Sequence, residues 1–170
     1  MKNTDRPNSD TELHDLFVDQ LRDILWAEKE LVKNLPKMAK AANDQKLGEA
    51  FTKHLAETKN QVVRLGKVFA SLGLTARAKK CPAMEGLLKE ADELVEEYAD
   101  STALDAALIT AAQKVEHYEI ASYGTMRAFA QRLGYNEAVQ LLTETLEEEG
   151  NADHALTEIA VGGVNQMAVA

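Results

Sequence analysis

The chain has 170 residues, of which 28 are acidic and 19 are basic, so its net charge at pH 7 is −9. This length suits one domain with one sizeable core, and the acidic surplus argues against a general nucleic-acid or anionic-membrane binder. With three prolines and nine glycines, the chain lacks the frequent turns of a sheet protein, which argues against an all-β fold.

Residues 1–9 are polar and unpatterned, and they predict a flexible N-terminal arm before a single helical domain over residues 10–165. The N-terminus has no apolar segment typical of a signal peptide, and no window approaches the ~18 apolar residues of a membrane span. The single cysteine, Cys81, cannot form an internal disulfide. We therefore expect a cytoplasmic protein without a membrane or nucleic-acid partner.

A first long helix is predicted where apolar residues begin to recur at steps of three or four. Asp10 and Thr11 are candidate N-caps, and Pro36 should kink this helix rather than end it, because the apolar period continues beyond it. The stripe consists of Leu13, Phe17, Leu21, Ile24, Leu31, Leu35 and Met38.

A second helix should begin at the break formed by Asn43 and Asp44, and it should end at Gly73, a typical left-handed C-cap. Residues 74–82 have no apolar period and predict a loop. Pro82 then suits the first turn of a shorter helix over residues 83–99.

The third long helix should open at a capping box formed by Thr102 and Asp105 and end at Gly134. Asn136 is the candidate cap of the fourth long helix, which should run to the glycine pair at residues 162–163. The connections within each pair of long helices are short, as in antiparallel hairpins, whereas about 28 residues separate the pairs. The pattern predicts an all-α, ferritin-like four-helix bundle of two antiparallel hairpins, with a short extra helix in the crossover between helices 2 and 3.

Each long helix carries acidic residues in the middle of its apolar stripe, where burying an unpaired charge is costly. On the fourth helix, either Glu148 or Glu149 falls on the inward face, with Glu144 one turn earlier. The candidate metal ligands are Glu28, His54, Glu57, Glu116, Glu119, Glu144 and Glu148.

Carboxylates and one imidazole that converge in a bundle would suit iron or manganese, and two such ions can be bridged by carboxylates. Chance placement of charges on a wide stripe is the alternative for any single residue. A metal-free set of protonated, mutually hydrogen-bonded carboxyl groups is the alternative for the whole cluster.

Several segments resemble the YciE/YciF family of bacterial ferritin-like proteins, in order along residues 10–160. They are AEKELVKNLPKMAKA (27–41), FTKHLAET (51–58), KKCPAMEGLLKEA (79–91), DAALITAAQKVEHYEIASYGT (105–125) and LLTETLEEE (141–149). The resemblance implies a helical bundle that is usually a homodimer and is linked to bacterial stress responses.

The third long helix is also distantly similar to that of the rubrerythrins, which share a Glu-His-Tyr-Glu segment. This similarity implies that Glu116, Glu119 and Glu28 are metal ligands. Rubrerythrins and ferritins carry Glu-x-x-His on their second and fourth helices, whereas this chain has no Glu-x-x-His. The feature most similar to that motif is the reversed pair His54 and Glu57, so the sequence leaves the identity of the metal open.

Two functions follow from these observations. The first is a stress protein with a dinuclear iron or manganese site, which as a non-haem oxidoreductase would handle a small oxidant, O₂ or peroxide. The second is a metal-free dimeric scaffold that binds a partner protein. Of the other candidates, His117 is expected beside the site or at an interface, and His14 and His154 in solvent. Cys81 is expected to be a structural or incidental cysteine; a redox-sensing thiol whose pKa is lowered by Lys79 and Lys80 is the alternative.

Overall fold

The structure is a computed structural model that describes residues 10–170, so the arm predicted at residues 1–9 lies outside the described residues. Within residues 10–170 the chain is helical and forms no strand. The elements are α1 (Glu12–Ala41), α2 (Gln45–Ser71), α3 (Pro82–Glu97), α4 (Leu104–Leu133), α5 (Asn136–Ile159), a π-helical segment (Ala160–Val164) and α6 (Asn165–Met167). None of the helices in this range combines the length and apolar character needed to cross a bilayer.

The four long helices pack as two hairpins, α1 with α2 and α4 with α5. The hairpins meet through two further contacts, α1 against α4 and α2 against α5. In a simple up-down bundle α2 would instead lie beside α4, so the neighbours identify a crossover topology. The predicted all-α, ferritin-like bundle with an extra helix in its crossover is confirmed.

Most predicted helix boundaries are observed with the expected chemistry. Thr11 caps α1, where its hydroxyl accepts the N–H of His14 at 3.2 Å, and Asp44 caps α2 in the same way. Gly73 and Gly134 follow α2 and α4 with φ of 72° and 80°, a left-handed conformation that costs glycine least. Pro36 lies inside α1, which continues to Ala41, so it does not end the helix.

Two predicted caps are wrong, and at α4 a tertiary contact takes the place of the cap. Ala103 precedes α4 without a side-chain cap, and the carboxylate of Asp105 instead accepts the N–H groups of Asn43 and Asp44, each at 2.8 Å. These bonds join the start of α4 to the turn between α1 and α2. Tyr135, rather than Asn136, precedes α5, again without a side-chain cap.

Hydrogen bonds around Cys81 attach the crossover segment to the four-helix bundle. The buried thiol caps α3 by accepting the N–H of Met84 at 3.3 Å, and it lies 3.0 Å from the hydroxyl of Tyr118, which donates to Asp23. Burial first, and then its bond with Asp23, raises the pKa of the Cys81 thiol.

The raised pKa favours the expected structural cysteine over the alternative of a redox-sensing thiol activated by lysines. Lys79 pairs with Asp19 at 2.6 Å, and Lys80 pairs with Glu85 at 2.5 Å, so both ammonium groups are engaged with carboxylates. Cys81 is a structural residue of the crossover.

Candidate metal centre

A cluster of buried polar side chains lies in the middle of the bundle, within its apolar core. Four carboxylates and one imidazole form it, from all four long helices. The members are Glu28 of α1, His54 of α2, Glu116 and Glu119 of α4, and Glu149 of α5. Glu28, Glu119 and Glu149 have no exposed surface, and Glu116 and His54 are 3% and 6% exposed. We call these five residues the central cluster.

The helical period explains why these residues point inward. Glu116 and Glu119 lie on one stripe of α4 with the buried Ile109, Ala112 and Tyr123. Glu149 lies seven residues from both Leu142 and Leu156, which are buried on either side of it on α5. Seven residues make about two helical turns, so all three side chains face the same direction.

The imidazole of His54 lies between carboxylates. Its Nε2 is 3.3 Å from Oε1 of Glu116 and 3.7 Å from Oε2 of Glu149. Its Nδ1 is 3.7 Å from Oε2 of Glu57, which is half-buried at the edge of the bundle. His54 therefore joins the central cluster to a carboxylate near the surface.

Two buried side chains orient carboxylates of the cluster by donating hydrogen bonds. The hydroxyl of Tyr123 donates to Oε1 of Glu28, and the side-chain amide of Gln61 donates to Oε1 of Glu149. The same Gln61 amide donates to Oε2 of Glu148 at 3.0 Å. Tyr123 and Gln61 have no exposed surface, so packing holds both donors in place.

An ion-pair network flanks the cluster on the side of α5. The guanidinium of Arg64 donates to both carboxylate oxygens of Glu148, at 2.8 and 2.9 Å, and to the hydroxyl of Thr145 at 2.9 Å. It also lies 3.1 Å from Glu144. Arg64 thus offsets part of the negative charge beside the cluster but pairs with none of the four carboxylates inside it.

The central cluster has more hydrogen-bonding capacity than the described protein satisfies. In the cluster and the adjoining Gln61, eight buried side-chain atoms have no hydrogen-bond partner within the described residues: Oε2 of Glu28, both ring nitrogens of His54, Oε1 of Gln61, Oε2 of Glu116, both oxygens of Glu119 and Oε2 of Glu149. An unpaired buried carboxylate costs several kcal/mol. The cluster therefore needs cations or protons at its centre.

Without a cation, the protein favours the protonated carboxyl forms. Burial, followed by the charge of Glu149, raises the pKa of Glu28 and Glu116 well above its ordinary value. Burial, followed by the charge of Glu28, does the same to the pKa of Glu119. The pKa of Glu149 is raised by burial against the opposing bond with Glu116 and the charge of His54. Ionising each of these carboxyl groups is thus costly as long as no cation balances the negative charge of its neighbours.

The donor set fits a metal ion. One ligand atom from each of His54, Glu116, Glu119 and Glu149 lies within 4.8 Å of the others. Ligands on opposite sides of a transition-metal ion at about 2.1 Å lie about 4.2 Å apart, so shifts of a few tenths of an ångström would close the shell. Carboxylate oxygens with one imidazole suit iron or manganese better than metals that prefer thiolates.

The structure brings together four of the sequence-predicted ligands, Glu28, His54, Glu116 and Glu119. It places the remaining three elsewhere. Glu57 lies at the edge with Lys53 at 3.2 Å, while Glu144 is exposed and Glu148 half-buried against Arg64.

The inward carboxylate of α5 is Glu149, and the choice of Glu148 with Glu144 is corrected by this placement. The sequence contains the necessary signal, because the seven-residue spacing from Leu142 and Leu156 selects Glu149 over Glu148.

Sequence reasoning missed the roles of Gln61 and Arg64. Gln61 occupies the inward stripe of α2, so its burial is readable from the pattern, but its bonds to α5 are not. The pairing of Arg64 with Glu148 joins residues 84 positions apart and has no local signal.

The other three histidines are more exposed than His54 and lie outside the central cluster. His117 is largely exposed and lies 3.2 Å from Asp153, and His154 is exposed as expected. His14 is half-buried rather than in solvent, because its Nδ1 lies 2.7 Å from the hydroxyl of Tyr135 and the two rings pack edge to face.

Comparisons with known proteins show a family whose members resemble this chain. The model of the family described as "Domain of unknown function (DUF892)" matches residues 12–169. Protein YciF of Escherichia coli K12 is 48% identical over 157 residues, which cover 92% of this chain and 95% of that protein.

Solved structures agree with the fold. The crystal structure of the E. coli stress protein YciF matches with a TM-score of 0.87 over 91% of this chain and 98% of that chain, at 48% identity. YcfI from Rhodopseudomonas palustris matches with a TM-score of 0.84 over 86% of this chain and 94% of that chain, at 47% identity. A protein from Xanthomonas campestris pv. campestris, 20% identical, shares the fold with a TM-score of 0.72 over 92% of this chain and 96% of that chain.

Proposed function

The chain belongs to the DUF892 family, and on this basis and the geometry of the central cluster we propose that it is a bacterial stress-response protein with a dinuclear metal centre. The observation that carries the proposal is the convergence of eight buried polar atoms without hydrogen-bond partners within the described residues. Four carboxylates are balanced by two divalent cations, and the oxygen-rich donor set favours iron or manganese.

The proposed ligands are Glu28, His54, Glu116, Glu119 and Glu149. Bound iron or manganese would supply the redox change needed to handle O₂ or peroxide. Tyr123 holds Glu28 in place, and Gln61 holds Glu149, so two of the ligands are oriented by buried donors. The surrounding apolar core excludes bulk water from the centre. The stress-related role rests on the similarity to a protein described as a stress protein.

Metal content and thermal stability test the proposal. Protein produced with both iron and manganese should contain about two ions per chain. Chelation should lower the Tm by roughly 5–10 °C, since a ligand at a hundredfold its Kd adds about 2.7 kcal/mol to the unfolding free energy. Less than about a tenth of an ion per chain, with no effect of chelation, would contradict the proposal.

A second candidate function is a metal-free homodimeric scaffold that binds a partner protein. The raised pKa values of the cluster favour it, because protonated carboxyl groups can share hydrogen bonds between Glu28 and Glu119 and between Glu116 and Glu149. For YcfI of R. palustris a structural role has been suggested. This candidate expects Glu28→Ala and Glu116→Ala to change thermal stability alone, with equal metal content in wild type and variants.

A further inference from the structure

A small cavity opens between α2 and α5 beside the central cluster. It has a volume of about 40 Å³, and its walls include the small side chains of Ala50, Ala152 and Ala155. His54 and Glu116 lie at its buried end, whereas Lys53 and Ala155 are exposed. The cavity therefore connects the protein surface with the ligand atoms of the cluster.

The size of the cavity limits what can pass through it. A water molecule needs about 10–15 Å³ of such space, so the cavity accommodates about three or four groups of that size. A metal ion that has lost most of its water fits, whereas an organic chelate does not. Glu28, Glu119 and Glu149 are fully buried on the other sides of the cluster, so His54 and Glu116 are the members that meet the cavity.

The charged groups at the outer end suit the capture of a cation. The side chain of Glu57 is 23% exposed and lies 3.7 Å from Nδ1 of His54. Its other neighbour is Lys53, 3.2 Å away and 71% exposed, a flexible ammonium that a divalent ion can displace.

We propose that the cavity between α2 and α5 is the port through which divalent cations reach the central cluster, with Glu57 capturing the ion and His54 receiving it. This inference rests on the proposed function, since the port serves a metal centre. Glu57 is thereby assigned to the mouth of the port rather than to the final ligand set.

The test follows the rate at which chelator-treated protein takes up Mn²⁺, measured by the loss of the EPR signal of the free ion. Ala152→Leu fills the port and should slow uptake by about tenfold or more without changing the final amount bound. Ala155→Leu, at an exposed position, should act in the same direction and serves if Ala152→Leu disturbs packing. Ala121→Leu, on an exposed part of α4, is the matched control and should take up Mn²⁺ at the wild-type rate.

Charge variants test the role of the mouth. Glu57→Gln should slow uptake a few-fold and Lys53→Gln should speed it, and both effects should shrink as salt screens the charges. A lower final amount bound in Glu57→Gln would make Glu57 a ligand and overturn its assignment to the mouth.

The outcomes separate this inference from the proposed function. Wild-type protein that takes up Mn²⁺ at the same rate as both leucine variants of the port overturns the port and leaves the metal centre standing. Wild-type protein that takes up no Mn²⁺ overturns both.

Discussion

The hydroxyl of Tyr123 donates a hydrogen bond to the carboxylate of Glu28 across the interface between α4 and α1, where neither side chain has any exposed surface. The second oxygen of Glu28 has no hydrogen-bond partner within the described residues. The bond thus joins the two hairpins and fixes the direction in which Glu28 presents its free oxygen.

Tyr123→Phe removes this donor without changing the shape of the core. We expect a loss of about 1–3 kcal/mol in the free energy of unfolding, because a buried oxygen of Glu28 loses its hydrogen bond. Urea denaturation of the chelator-treated protein measures the loss. Tyr98→Phe, whose half-buried ring lies outside the cluster, is the control and should change the free energy by less than about 0.5 kcal/mol. Equal effects of the two substitutions would show that the Tyr123 bond contributes nothing specific.

Glu149→Gln tests which carboxylate of α5 belongs to the centre. We expect the affinity for Mn²⁺ to fall by about tenfold or more, because the amide replaces an anionic ligand. Glu147→Gln makes the same chemical change at an exposed position two residues away and should bind Mn²⁺ like wild type. Titration of the chelator-treated proteins measures both affinities. A loss of affinity in Glu148→Gln, with normal affinity in Glu149→Gln, would reverse the assignment.

The metal-free protein should become less stable as the pH rises. A carboxyl group with a raised pKa binds its proton more tightly in the folded state than in the unfolded state. The stability it contributes is complete below the unfolded pKa of about 4.3 and is lost as the pH rises through the folded pKa. Glu28, Glu116, Glu119 and Glu149 all shift in this direction.

Urea denaturation of the chelated protein between pH 5 and 8 measures this dependence, with a slope of up to about 1.4 kcal/mol per pH unit for each proton released. The metal-loaded protein should show the opposite trend, because protons compete with the ion for the same oxygens. A chelated protein whose stability is constant over this range would contradict the assignment of raised pKa values to the cluster.

Asp105→Ala should destabilise the protein although the residue is remote from the centre. The substitution removes the carboxylate that accepts hydrogen bonds from the backbone N–H groups of Asn43 and Asp44, each at 2.8 Å. A loss of about 1.5–3 kcal/mol is expected, since hydrogen bonds to a charged group are stronger than neutral ones. Thermal denaturation measures it, with Asp100→Ala at an exposed position as the control. Comparable Tm values for the two variants would be the contrary result.

The helices and their order were predictable because the apolar period is strong and glycine marks two of the boundaries. Gly73 and Gly134 have the left-handed φ that their positions after a helix suggest. The mistaken cap at the start of α4 has a tertiary cause. Asp105 resembles a capping residue in sequence, but its carboxylate is used by a turn more than 60 residues away. A local pattern holds no information about such a competitor.

The sequence predicts which acidic residues of the candidate centre lie on the inward faces of their helices, but not which contacts they make. Glu28, Glu116 and Glu119 interrupt apolar stripes whose register is clear, and they are buried as expected. In the run of three glutamates at 147–149, only the spacing from Leu142 and Leu156 identifies Glu149 as the one that faces inward. The bonds of Gln61 and Arg64 depend on how α2 and α5 pack, which no spacing within either helix specifies.

Because the central cluster is divided between two hairpins, its residues leave the ribosome at different times during synthesis. Glu28 and His54 come from the first hairpin, whereas Glu116, Glu119 and Glu149 come from the second. Because chains are made from the N-terminus and fold as they emerge, the first hairpin exists for some time with only two of the five cluster residues. A nascent chain on the ribosome therefore has no complete set of donors until α5 has left the exit tunnel, so the proposed metal centre would be loaded only after translation.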